Sequence, residues 1–102
     1  MIHVIATIQL RPGVKDEFIA IFKANVPAVL AEKGCLAYGP TVDVDSGLAP
    51  QGGVRRDAVT VVEQWESLDA LRAHLAAPHM AAYREKTKGM SLGVTLQVLQ
   101  PV

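Results

Sequence analysis

The chain has 102 residues, half of them apolar and a fifth charged, which suits one packed domain, residues 1–102, and excludes a disordered or two-domain chain. Ten basic residues balance ten acidic ones, so no excess of positive charge is available to meet nucleic acid or an anionic membrane. One cysteine, Cys35, cannot close an intrachain disulfide, no apolar run approaches the roughly 18 residues of a membrane span, and Met1-Ile2-His3-Val4 lacks a signal-peptide pattern; the expectation is a cytoplasmic protein.

Ile2 to Leu10 alternates with a period of two and reads as a strand, with Ile2, Val4, Ala6, Ile8 and Leu10 on one side. Arg11-Pro12-Gly13 stops it. Val14 to Glu32 reads as a helix, because Val14, Phe18, Ile21, Phe22, Val29 and Leu30 form one apolar stripe. Asp16 and Glu17 fall in its first turn, where the helix dipole favours them. Pro27 removes a backbone donor and predicts a kink near residues 23–27 rather than an end, with Gly34 as the cap.

Cys35 to Val44 is a second strand, made irregular or placed at an edge by Pro40. Residues 45–56 read as a long hairpin loop, mobile or in contact with a partner. Asp57 to Trp65 is a third strand, with Val59, Val61, Glu63 and Trp65 on one side and Ala58, Thr60, Val62 and Gln64 on the other. Ser67 caps a short helix that carries Leu68, Leu71 and Leu75 to about Ala76. Pro78 opens a second helical segment that ends near Lys88 and Gly89. Ser91 to Gln100 is the last strand, with Leu92, Val94, Leu96 and Val98 on one face.

The order β-α-β-β-α(α)-β is that of a ferredoxin-like α+β fold, an antiparallel sheet with its helices on one face. The other face is then expected to carry Val59, Val61 and Trp65 or their alternates. Such a face is too apolar for water, and a second copy's sheet is the natural cover, giving a homodimer.

No phosphate-binding, zinc-finger or metalloprotease motif is present, and His74 and His79, five residues apart, do not share a helical face, so no metal site is expected. The period of two sets Glu63 beside Trp65 on a Val-lined face, either in a pocket or as a rim carboxylate beside a core indole. His74 lies about 100° from the centre of the Leu68–Leu71–Leu75 stripe, on the helix flank, where it lines a pocket or meets solvent. Asn25 falls on the apolar stripe of the first helix, where it either satisfies groups freed by Pro27 or points into a ligand cavity. Tyr38 lines a pocket or caps the core, and His79 adjoins Tyr83 at i, i+4. Cys35 reads as a small buried hydrophobe.

Three segments carry a family resemblance: Gly34-Cys35-Leu36-Ala37-Tyr38, Glu63-Gln64-Trp65-Glu66-Ser67, and Ala70-Leu71-Arg72-Ala73-His74-Leu75 running on to Pro78-His79. Over essentially its whole length the chain resembles the antibiotic biosynthesis monooxygenase superfamily of dimeric α+β barrels. The resemblance implies a pocket between sheet and helices in each subunit. It also implies oxidation of a small quinol or phenol by molecular oxygen without flavin, metal or haem. Val61 stands where the polyketide monooxygenases of the family have Asn. Tyr83 and Thr7 stand where its haem degraders have their ligand His and an Asn, so haem binding is not expected. Within this reading His74 is the proton acceptor, Glu63 orients it or the substrate, and Trp65 forms a pocket wall. Asn25, Tyr38 and His79 are then substrate-binding groups. A non-catalytic ligand-binding or stress-response barrel and a small-molecule isomerase remain the alternatives.

Overall fold

The computed structural model describes residues 1–102, in the order β1 (Ile2–Leu10), α1 (Lys15–Leu30), β2 (Cys35–Thr41), β3 (Ala58–Trp65), α2 (Leu68–Leu75), α3 (Pro78–Lys86) and β4 (Ser91–Leu99), with a 3₁₀ turn at Ala49–Gln51. The four strands form one antiparallel sheet in the order β2-β3-β1-β4. This is the ferredoxin-like topology expected from the element order, with the last helical stretch divided in two.

Local chemistry sets the element ends. The Ser67 hydroxyl accepts from Ala70 N at 3.1 Å and so caps α2. Pro78 starts α3, where a missing N–H costs nothing. α1 runs through Pro27, and Ala31 N still donates to Pro27 O at 3.1 Å. The helix stops at Leu30 rather than Glu32, and the chain turns at once through Gly34, whose φ is +86°. β2 also ends early, at Thr41 rather than Val44. The following loop is fastened by Arg55, which makes two side-chain hydrogen bonds of 2.8 Å to the Asp43 carboxylate.

Register decides which side chains meet the helices. Val4, Ala6 and Ile8 of β1 stand opposite Glu63, Val61 and Val59 of β3, and all six are buried beneath α1 and α3. Of the two sets that strand period left open, Val59, Val61 and Trp65 take the helix side and are core. Their alternates Thr60, Val62 and Gln64 face the other way, beside His3, Ile5 and Thr7. Thr41, Thr60, Thr7 and Thr95 lie in register across all four strands on that side.

Two apolar clusters make the core. One joins Ala6, Ile8, Leu10, Val59 and Val61 to Phe18 and Phe22 of α1. The other joins Val4, Val29, Trp65, Leu71 and Met80. The helices do not cover β4. Val94 and Leu96 pair with Ile8 and Ala6, on the helix side, yet remain 59% and 48% exposed.

Candidate active site

Between the uncovered half of the sheet and the helices lies a cavity of about 370 Å³. Ala6, Ile8, Val94 and Leu96 form its floor, and Phe18, Phe22, Met80 and Tyr83 its opposite wall. The aromatic rings hold one another. Phe22 stacks on Tyr38 with centroids 5.4 Å apart, and Tyr83 meets Phe22 edge-on at 5.6 Å. The polar groups of the lining are Tyr38, Tyr83, Glu63 and His74, with Thr87, Ser91, Arg84 and Lys88 along the C-terminal end of α3 and the start of β4.

His74 is the centre of this arrangement, and its position corrects the expected helix flank. Its side chain is only 2% exposed, packed between Trp65 (centroids 4.7 Å apart) and Tyr38 (5.3 Å). Its Nδ1 lies 2.7 Å from Oε2 of Glu32. No protein group bonds to its Nε2. Burial holds the imidazole below its ordinary value of 6.5, and the Glu32 carboxylate opposes that shift without cancelling it. Burial therefore favours the neutral imidazole.

Glu63 is also buried, but it does not orient His74. Its Oε1 accepts from Trp65 Nε1 at 2.9 Å, the contact that the i, i+2 spacing on one strand face allows. Burial pushes the Glu63 carboxyl up, against the pull of the indole N–H. Trp65 is not a pocket wall. It is fully buried behind His74 and Glu63, a backing for both. Burial pushes the Tyr83 phenol up to about 12 and raises Tyr38 further, so both phenols keep their protons.

Asn25 and His79 line a different and smaller cavity of about 200 Å³ between α1 and α3, with Tyr83 shared between the two. Asn25 Nδ2 donates to Met80 Sδ at 3.4 Å. His79 Nε2 approaches the same Glu32 oxygen at 3.3 Å, misaligned for a hydrogen bond. The two histidines thus converge on one carboxylate although they share no helix face. Of the residues expected to gather in one pocket, His74, Glu63 and Tyr38 do so. Glu32 was not expected. Its one signal in the sequence is a carboxylate just past the C-terminus of a helix with no basic residue in its last turn, where the dipole disfavours negative charge.

The family profile described as "Antibiotic biosynthesis monooxygenase" matches residues 1–86. The chain belongs to that family. Among its relatives is the protein named "Probable quinol monooxygenase YgiN" of Escherichia coli K12, 44% identical over 107 residues covering 99% of this chain and 98% of that one. Among solved structures, Rv0793 from Mycobacterium tuberculosis shares 25% identity with a TM-score of 0.79, covering 99% of this chain and 94% of its own. PA3566 from Pseudomonas aeruginosa shares 24% identity with a TM-score of 0.80, over 99% and 93% of the two chains. In this antibiotic biosynthesis monooxygenase family chain, the Gly34–Tyr38, Glu63–Ser67 and Ala70–His79 segments supply the turn beside the site, the buried carboxylate with its indole, and the imidazoles.

Proposed function

We propose that the protein is a cofactor-independent monooxygenase that oxidises a small quinol or phenol with molecular oxygen. The observation that supports this reading is a buried imidazole, held at Nδ1 by Glu32 and with no protein partner on Nε2, at the polar end of an aromatic-lined cavity. A flat aromatic ring suits the slot between the apolar floor and the stacked rings. His74 Nε2 takes the phenolic proton. The electron-rich phenolate then gives one electron to oxygen, and the resulting ring radical and superoxide combine to form a carbon–oxygen bond. The proton on that ring carbon passes to the distal peroxide oxygen as the O–O bond breaks, which leaves a quinone and hydroxide. The departing hydroxide takes the proton held by His74 and becomes water. The balance is one phenol and one dioxygen giving one quinone and one water. Glu63, with Oε2 outside its bond to Trp65, accepts from a second substrate hydroxyl.

The same reading includes a homodimer in the cytoplasm. Leu92, Val94, Leu96 and Val98 leave an apolar strip on β4 that a second copy would cover, and light scattering at micromolar concentration should give about twice the chain mass. The decisive assay is oxygen uptake on metal-free protein against a panel of quinols, with ¹⁸O₂ as tracer. One labelled oxygen should enter the product and the other water. Turnover without oxygen would make the protein an isomerase. Saturable binding with no turnover across the panel would make it a binding barrel.

A further inference from the structure

Glu32 lies in the turn between α1 and β2, 42 residues from His74 in sequence, and its side chain is mostly buried. Two features bring it there. Gly34 runs at φ +86°, and a Cβ on it would stand 2.6 Å from the Ala70 Cβ, so the turn rests directly on α2. Glu66 N also donates to Gly34 O at 2.8 Å, tying the turn to the end of β3. Ala70 and His74 are i, i+4 on α2 and so share a face. The same close approach that needs glycine therefore sets the Glu32 carboxylate over the imidazole.

An ionised carboxylate can only accept hydrogen bonds. With Oε2 at 2.7 Å, His74 Nδ1 must carry the proton, and Nε2 keeps its lone pair. We propose that Glu32 is the positioning residue that locks His74 in the Nδ1–H tautomer. This rests on the reading of His74 as a base. Without an acceptor at Nδ1, a buried N–H would be stranded, and the proton would move to Nε2, where cavity water can take its bond. That tautomer cannot accept a substrate proton. The charged and titratable groups around the ring are Glu32 from the turn, His79 and Arg84 from α3, Tyr38 from β2 and Glu63 from β3.

The test has a substrate-free arm and a kinetic arm. Long-range ¹H–¹⁵N spectra at pH 8 report the tautomer of His74, its signals assigned by their loss in His74→Gln. The wild type should show protonated Nδ1. Glu32→Leu should move the proton to Nε2, and Glu32→Gln, which keeps the volume, should give a mixture. In the kinetic arm Glu32→Leu should lower kcat by about 10²-fold, the range for losing a general base, with KM little changed. Glu32→Asp should recover part of the loss. An unchanged tautomer in both Glu32→Leu and Glu32→Gln overturns the proposal whatever the activity. If Glu32→Leu does not fold, the smaller Glu32→Val, which also lacks an acceptor, decides in its place, and a tautomer that stays wholly Nδ1–H there overturns the proposal. A protein whose tautomer changes on mutation but whose wild type oxidises no quinol would refute the oxygenase reading and leave the positioning role standing.

Discussion

Gly34→Ala puts the packing of the turn to a quantitative test. The added Cβ would sit 2.6 Å from the Ala70 Cβ, and ordinary contact begins near 3.4 Å, so the turn must retreat by at least about 0.8 Å. The left-handed backbone at φ +86° adds its own cost, roughly 1–2 kcal/mol for a residue with a Cβ. Overpacking against α2 adds about 1–3 kcal/mol. The expected loss is about 2–5 kcal/mol, a large part of the roughly 5–15 kcal/mol that holds a domain of this size. At roughly 4–8 °C per kcal/mol, the melting temperature should fall by about 10 °C or more. If the retreat carries Glu32 with it, its 2.7 Å bond to His74 lengthens beyond hydrogen-bonding reach, and kcat should fall together with stability. Urea unfolding of Gly34→Ala, Ala70→Gly and the double variant separates the two costs. Ala70→Gly alone should lose about 1 kcal/mol of helix propensity. In the Gly34→Ala background it should instead recover the clash, a coupling of about 1–3 kcal/mol, and leave the backbone cost. A Gly34→Ala chain within 1 kcal/mol of wild type, or a double variant that is merely additive, would refute the close-approach argument.

His74→Ala should slow quinol oxidation by about 10²-fold, and it should also destabilise the fold, because a side chain only 2% exposed leaves a void and a stranded Glu32 carboxylate. Because burial lowers the His74 value, wild-type kcat/KM should rise with pH to half its plateau below pH 6.5, and a midpoint above 6.5 would contradict a neutral buried base. The same depression means that the unfolded chain binds the extra proton, so this residue's contribution to stability is complete above pH 6.5 and is lost as pH falls through its lowered folded value. For Glu63 the sign is opposite: its raised folded value means that ionising it costs stability as pH rises from 4.5, so Glu63→Gln should be more stable than wild type at pH 7, with the gap closing toward pH 4.5 in urea titrations. Arg55→Ala should speed proteolytic cleavage within residues 42–57 and lower the melting temperature only slightly, since the half-exposed Arg55 holds Asp43 of that loop and reaches the sheet only through Thr60 Oγ1.

The strands and helices were legible because each carries a local signal: period two in β1, β3 and β4, the Ser67 cap on α2, the glycine turn after α1. The site was legible only in part. A helical wheel places His74 by the apolar residues of its own helix, and α2 offers just Leu68, Leu71 and Leu75. What buries the flank is Trp65 of β3, Tyr38 of β2 and Glu32 of the turn after α1, none of which the wheel of α2 contains. Glu32 escaped for the same reason, since nothing near it in sequence marks its partner. Glu63 and Trp65 were correctly paired by strand period, but period alone does not say which sheet face meets the helices. Asn25 looked like a cavity group because it shares a stripe with Phe18. In fact α3 crosses that stripe, so Phe18 faces the larger cavity and Asn25 the smaller.

The two sides of the larger cavity answer to different demands. Phe18, Phe22, Tyr38 and Tyr83 lock one another ring against ring and belong to the same packing that holds the domain together. Val94 and Leu96 stand on an edge strand joined to the sheet by β1 alone, with no helix over them. Exchanging either for a smaller or larger aliphatic residue resizes the chamber without disturbing an interlocked ring. Selection for a new substrate therefore meets two kinds of constraint: width is set from β4, where an exchange must also suit the second copy proposed to cover that strand, whereas the aromatic wall and the imidazole behind it are inherited as a block.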